Sequence, residues 1–303
     1  MGTPLFAVPI LKAIYLNGNS VSVVYTQPPQ KSQRGQKINI SPIQEISETL
    51  KIECRTPISL KDSEEEYNYL KELKADIAIV VAYGQIIPKK YLSLVKKGFI
   101  NIHASLLPKW RGAAPIQRSI MNLEKETGIS IMKIGEKLDT GPICNSYKIE
   151  IINNDNAETI SEKLSVLAAK KILDNIDEIL DDKIKFKEQN DNNASYAPKI
   201  EKTEGQIKWS ETAEKIIGKI NGLYSRPGAF FIHKGERYKI LKAKLTSSSG
   251  KIGEVLDNYL EIGCGNKKSI KVLEIQRQGK RPQNISEFMP GSRIKKGSNL
   301  NNV

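Results

Sequence analysis

The sequence predicts an α/β fold in which a doubly wound parallel sheet is followed by a small β-barrel. Three observations carry that reading. Short, β-branched apolar runs alternate with segments of helical periodicity over the first two-thirds of the 303 residues. This is the rhythm of strand–helix–strand units, whose helices cover both faces of a parallel sheet. A polar, turn-rich stretch at 187–205, KEQNDNNASYAPKIEKTEG, breaks the rhythm and reads as a linker. Several short strands at close spacing follow, the pattern of a small barrel. The expected organisation is a Rossmann-like domain over 1–186, the linker, and an OB-like barrel domain over 206–303.

Met1-Gly2-Thr3-Pro4 is followed at once by the helix-like LFAVPILKAIYLNG, with no strand before it. A Gly-Thr turn entering a helix usually follows a strand, and in a doubly wound sheet that strand is central. A gap at the sheet's centre is therefore expected, with a natural start upstream of Met1. VSVVYT (21–26), DIAIVVAY (76–83) and FINIHASL (99–106) are short and bounded by Gly, Pro or Asn, which marks buried strands. SPIQEISETLKI (41–52) and DSEEEYNYLKELK (62–74) begin with Ser or Asp caps and carry helical apolar spacing. Strands are expected at 127–134 and 142–151, and a long helix within 157–182. After the linker come a helix at 213–223 and strands at AFFIH, RYKILKAKLT, KIGEVLD, YLEIGCG and KSIKVLEIQ. The tail GSNLNNV has the composition of a disordered end.

Apolar residues at 39% and charged residues at 27% fit a soluble globular protein. No apolar run approaches the roughly 18 residues that cross a bilayer, and no basic-then-apolar leader is present, so a cytoplasmic protein is expected. Cys54, Cys144 and Cys264 are widely separated and lack metal or disulfide spacing. They read as buried or indifferent thiols. The net charge of +13 is uneven: residues 1–200 hold 27 basic and 24 acidic side chains, whereas 201–303 hold 20 and 10. The basic last third is a handle for a polyanion such as RNA or a solvated lysine-rich surface, and charge alone leaves both open.

The chain has two histidines, and one lies in FINIHASLLPKWRG. Residues two apart on a strand share a face, so Asn101, His103 and Ser105 are expected to project together near the strand's carboxyl end, where ligands bind in open α/β sheets. An amide donor beside an imidazole suits a carbonyl whose oxygen becomes negative during attack. A lone histidine on an apolar strand is also a common core residue. The loop GEKLDTGPI (135–143) offers Asp139 as a third group, though an Asp there equally reads as a turn former. Spacing alone does not bring it to His103.

NIHASLLPKWRGAAPIQRSI, LDTG, the opening MGTPLFAVP and VVAYGQIIP, together with YAPKI and IKWS, closely resemble the methionyl-tRNA formyltransferases over essentially the whole chain. The combination of Asn-x-His-x-Ser-Leu-Leu-Pro with a later Leu-Asp-Thr-Gly is specific to formyltransferases that use 10-formyltetrahydrofolate. The resemblance implies the formyltransferase fold and transfer of a formyl group from 10-formyltetrahydrofolate to the α-amine of methionine on initiator tRNA. It assigns Asn101, His103 and Asp139 to catalysis and Ser105, Leu106, Leu107 and Pro108 to folate. It also implies that the basic loop KSQRGQK (31–37) grips the acceptor end of the tRNA, through Arg34 and Lys37. No metal is expected, and members of the family generally act as monomers.

NGLYSRPGAFF (221–231) departs from the family, with Ser-Arg before the proline in place of the usual aromatic residue. Two rival readings remain. A formyltransferase acting on a small amine, such as a nucleotide sugar or glycinamide ribotide, would share Asn101, His103 and Asp139 but needs no basic barrel. An RNA-binding protein that lost catalysis would not need the intact Asn, His and Asp set.

Overall fold

A two-stranded and a four-stranded sheet carry most of the strands of the first half. The structure, a computed structural model, describes residues 1–31 and 38–301. The chain forms two compact units, one of residues 1–112, 127–149 and 161–196, the other of 113–126, 150–160 and 197–303.

In the first unit α1 (Val8–Leu16) leads to β1 (Val24–Tyr25), α2 (Pro42–Thr49), β2 (Cys54–Arg55), α3 (Glu64–Leu73), β3 (Ala78–Val80) and β4 (Phe99–His103). The serines read as caps act as caps: Ser41 Oγ accepts from the Gln44 N–H at 3.0 Å and Ser63 Oγ from the Glu66 N–H at 3.3 Å. β1 pairs with β2 in parallel. β3 pairs with β4 in parallel, placing Val80 opposite Asn101. β5 (Glu126–Lys133) then runs antiparallel to β4, with His103 opposite Ser130, and β6 (Ile143–Glu150) completes the sheet. The sheet is therefore mixed rather than parallel throughout.

β1 and β3 belong to different sheets. Residues 1–3 lie between them: the Met1 amine donates to Ile79 O at 2.7 Å, Gly2 N–H to Tyr25 O at 2.9 Å, Val81 N–H to Met1 O at 2.9 Å, and Thr3 Oγ1 to Tyr83 O at 2.8 Å. Beside them is a cavity of about 400 Å³ whose lining includes Val21, Val23, Ile77, Ile79 and Ile176. The adjoining core is held by Tyr25, Leu70, Tyr91 and Phe99, each such buried side chain contributing about 1.5–3 kcal/mol. The long helix α4 (Ala157–Leu180) follows β6. Among the described residues no helix is long and apolar enough to cross a membrane.

In the second unit α5 (Ala213–Gly222) is capped by Thr212, whose Oγ1 accepts from the Lys215 N–H at 3.2 Å. β7 (Ala229–His233), β8 (Glu236–Thr246), β9 (Glu261–Gly263) and β10 (Ser269–Arg277) form an antiparallel sheet of order β7-β8-β10-β9. A register shift between Ile240 and Ala243 interrupts the β8–β10 ladder, and such bulges bend a strand. The sheet curls into a half-barrel around Trp209, Ile216, Phe231, Tyr238 and Phe288. Two details differ from expectation. KIGEVLD is not a strand but a turn with isolated bridges at Glu254 and Val255. The tail is tied down through residue 301, because Leu300 is buried and its N–H donates to Gly253 O at 2.8 Å.

Candidate active site

β4 positions the first two groups. Asn101 and His103 lie two residues apart on this strand and so share a face. The strand ends at His103, so the row does not reach Ser105 as expected. Ser105 turns inward instead, fully buried, and its Oγ donates to Lys109 O at 2.6 Å. That turn is secured by Ser130 on β5, whose Oγ donates to Ser105 O at 2.8 Å and accepts from the Leu107 N–H at 3.0 Å. Leu107 is buried, whereas Leu106 and Pro108 remain partly exposed.

The third group arrives from the turn between β5 and β6. Asp139 holds a left-handed φ of 52°, a conformation that Asp tolerates better than most residues. Gly141 is required two residues later, since a Cβ there would sit 1.9 Å from Lys133 O. The turn carries the Asp139 carboxylate to 3.6 Å from His103 Nδ1 and places its other oxygen 3.5 Å from Asn101 Nδ2, which donates to it. The Gly112 N–H donates to the same carboxylate at 2.9 Å. The three residues singled out in sequence thus converge.

His103 is only 6% exposed, yet its ring is not enclosed by hydrocarbon. Nε2 lies 2.9 Å from Trp110 O, and because a carbonyl only accepts, Nε2 carries the proton. Nδ1 faces Asp139. Both nitrogens therefore face acceptors, an arrangement that an imidazolium satisfies on both sides and a neutral ring on one. Such a ring is suited to supporting negative charge that develops on a nearby oxygen.

Sequence reasoning missed Trp110, Gly112 and Ser130, and two residues further out. Gln189 Nε2 donates to Asp139 O at 2.9 Å and to Gly141 O at 2.8 Å. Arg111, 2% exposed, donates to Gln189. The first three act through backbone groups or a hydroxyl on an ordinary-looking strand, and no local pattern marks them. Arg34 and Lys37 lie outside the described residues. The cysteines are free, and burial pushes the thiols of Cys144 and Cys264 up to about 11, which leaves them unreactive near neutral pH. Among the described residues no cluster of His, Cys, Asp and Glu is able to hold a metal ion.

Residues 1–176 match the family described as formyl transferase, and 199–293 the formyl transferase C-terminal domain. The methionyl-tRNA formyltransferase of Pelagibacter ubique (strain HTCC1062) is 70% identical over 303 residues, covering 100% of this chain and 98% of that one. That of Jannaschia sp. (strain CCS1) is 40% identical over 300 residues, 99% of this chain and 98% of the other. Among solved structures, the N-formyltransferase from Helicobacter canadensis, described in complex with folinic acid and dTDP-3-aminofucose, superposes with a TM-score of 0.70 at 22% identity, over 91% of this chain and 97% of that one. HypX from Aquifex aeolicus in complex with tetrahydrofolic acid gives 0.59 at 15% identity, over 91% and 50%. At these identities the structures speak for the fold alone.

Proposed function

The chain belongs to the formyl transferase family and formylates methionyl-tRNA for translation initiation, and we propose that Asn101, His103 and Asp139 are the centre at which the formyl group changes hands. The observation that carries this reading is the placement of one carboxylate within reach of both the amide and the imidazole.

The donor is 10-formyltetrahydrofolate and the acceptor is the methionine α-amine on initiator tRNA. As the amine's lone pair attacks the formyl carbon, a C–N bond forms and the formyl oxygen becomes negative. Asn101 spends one amide proton on Asp139 and offers the other to that oxygen. His103 Nε2–H donates to Trp110 O until the oxygen displaces that carbonyl, and it then becomes a second donor. Each such donor is typically worth about 3–4 kcal/mol of barrier. Asp139 holds the ring in place and takes the proton that the amine loses. The carbonyl then re-forms as the bond from carbon to nitrogen-10 breaks, and that nitrogen takes up the proton that Asp139 received from the amine. The folate stands against the segment Ser105, Leu106, Leu107 and Pro108, where Leu106 and Pro108 offer accessible apolar surface.

The tRNA is held by Arg34 and Lys37 in the first unit and by the basic barrel domain. A cleft of about 590 Å³ in the barrel, lined by Arg277, Lys280, Arg281 and Arg293 among others, supports contact with a polyanion. The test supplies labelled 10-formyltetrahydrofolate with charged initiator tRNA, charged elongator tRNA and a panel of small amines. Label on the initiator alone supports the assignment; label on a small amine overturns it. The affinity for tRNA should also fall steeply with salt, by roughly 0.7–0.9 log units per log unit of salt for each phosphate neutralised.

A further inference from the structure

Gln189 sits in the stretch that composition marks as a linker, yet its amide has no freedom. Arg111 donates from both Nε, at 3.0 Å, and Nη2, at 2.8 Å, to the single oxygen Gln189 Oε1. A guanidinium has no acceptor, so this buried cation fixes which end of the amide faces it. The Nε2 end must point away, and both of its protons are used on carbonyls flanking Thr140, at Asp139 and Gly141. Arg111 Nη2 is completed by Asp191 Oδ1 at 2.8 Å. The next residue in the chain, Gly112, donates its N–H to the Asp139 carboxylate. Two adjacent residues thus hold Asp139 at both ends, its carboxylate directly and its backbone through Gln189.

The geometry points to Gln189 as a positioning residue for formyl transfer: locked by Arg111, it sets where the Asp139 carboxylate stands relative to His103. This rests on the reading of Asn101, His103 and Asp139 as the reaction centre. Asp139 occupies a left-handed backbone conformation, and the two bonds from Gln189 fix the carbonyls on either side of Thr140 in that turn. A shift of about 1 Å in a reacting group costs on the order of 100-fold in rate.

The test uses the full chain with Gln189→Glu. The new carboxylate still accepts from Arg111, so the fold is retained, but it turns an oxygen rather than a donor toward the two carbonyls. The expected result is a kcat lower by about 10- to 100-fold with KM for methionyl-tRNA within about twofold and a modestly lower melting temperature, the two carbonyls having lost their donor. Because the chain has two histidines, the ring signals in an NMR spectrum separate local from global effects: that of His103 moves and that of His233 stays. Gln189→Met, which keeps the volume and loses both roles, should reproduce the kcat loss if the first variant folds poorly. In an Asp139→Asn background, Gln189→Glu should lower kcat no further. Full multiplicative loss there, or wild-type kcat in Gln189→Glu alone, overturns the positioning role. Wild-type activity of Asp139→Asn by itself would instead overturn the underlying assignment of the centre.

Discussion

His103 Nδ1 lies 3.6 Å from Asp139 Oδ2, although the two residues come from a strand and from the turn beyond its antiparallel neighbour. The antiparallel register of β4 and β5, with Ser130 opposite His103, returns the chain past the imidazole. The turn around Gly135 and Gly141 then directs the carboxylate back at it. The contact is a product of sheet register, which is why neither residue's neighbours in sequence announce it.

Asp139→Asn keeps the side chain's shape and removes its charge. It should lower kcat for methionyl-tRNA formylation by about 10²- to 10⁴-fold, the range for loss of a positioned acid–base group, while the melting temperature changes little. Steady-state kinetics with a melting curve on the same sample measures both.

Gly141→Ala forces a methyl group onto the backbone carbonyl of Lys133. Since a backbone oxygen cannot rotate aside as a side chain can, the turn must move. A stability loss of about 1–3 kcal/mol and a large fall in kcat are expected together in urea unfolding and activity assays. An active, fully stable variant would show that the turn tolerates displacement.

Ser130→Ala leaves the Leu107 N–H and the Ser105 carbonyl without their buried partner. The cost is about 1–3 kcal/mol. Because the 105–108 turn is the proposed folate segment, KM for the folate should rise more than KM for the tRNA.

Arg118 donates to Glu204 from Nη1 at 2.5 Å and Nη2 at 3.0 Å. That hydrogen bonding, ahead of the other influences, holds the Glu204 carboxyl below its usual range. A carboxylate whose value is depressed on folding adds stability above its unfolded pKa, and the contribution disappears as pH falls through the folded one. Wild type should therefore lose more urea resistance between about pH 7 and about pH 3 than Arg118→Met does. Equal losses would indicate that this pair does not report on acid stability.

Much of this was legible in the chain. The caps Ser41 and Ser63 stand immediately before amphipathic segments, so α2 and α3 could be placed from local pattern alone. Asn101 and His103 could be set on one face from the period of a strand. What could not be read was long-range. Ser105 falls outside the row because the strand stops two residues before it, a boundary that β-branched composition does not mark. Gln189 looks like part of a polar connector because its partners are two backbone carbonyls and an arginine 78 positions away. The last residues looked disordered by composition, and only the burial of Leu300 reveals that they are anchored.

The most direct test of the reaction centre is single-turnover formylation of methionyl-tRNA by His103→Ala beside wild type, with tRNA binding and melting temperature measured on the same preparations. Loss of an imidazole that supports the developing oxyanion predicts a transfer rate lower by about 10²- to 10³-fold, with binding and folding unchanged. A wild-type transfer rate in that variant would contradict the account.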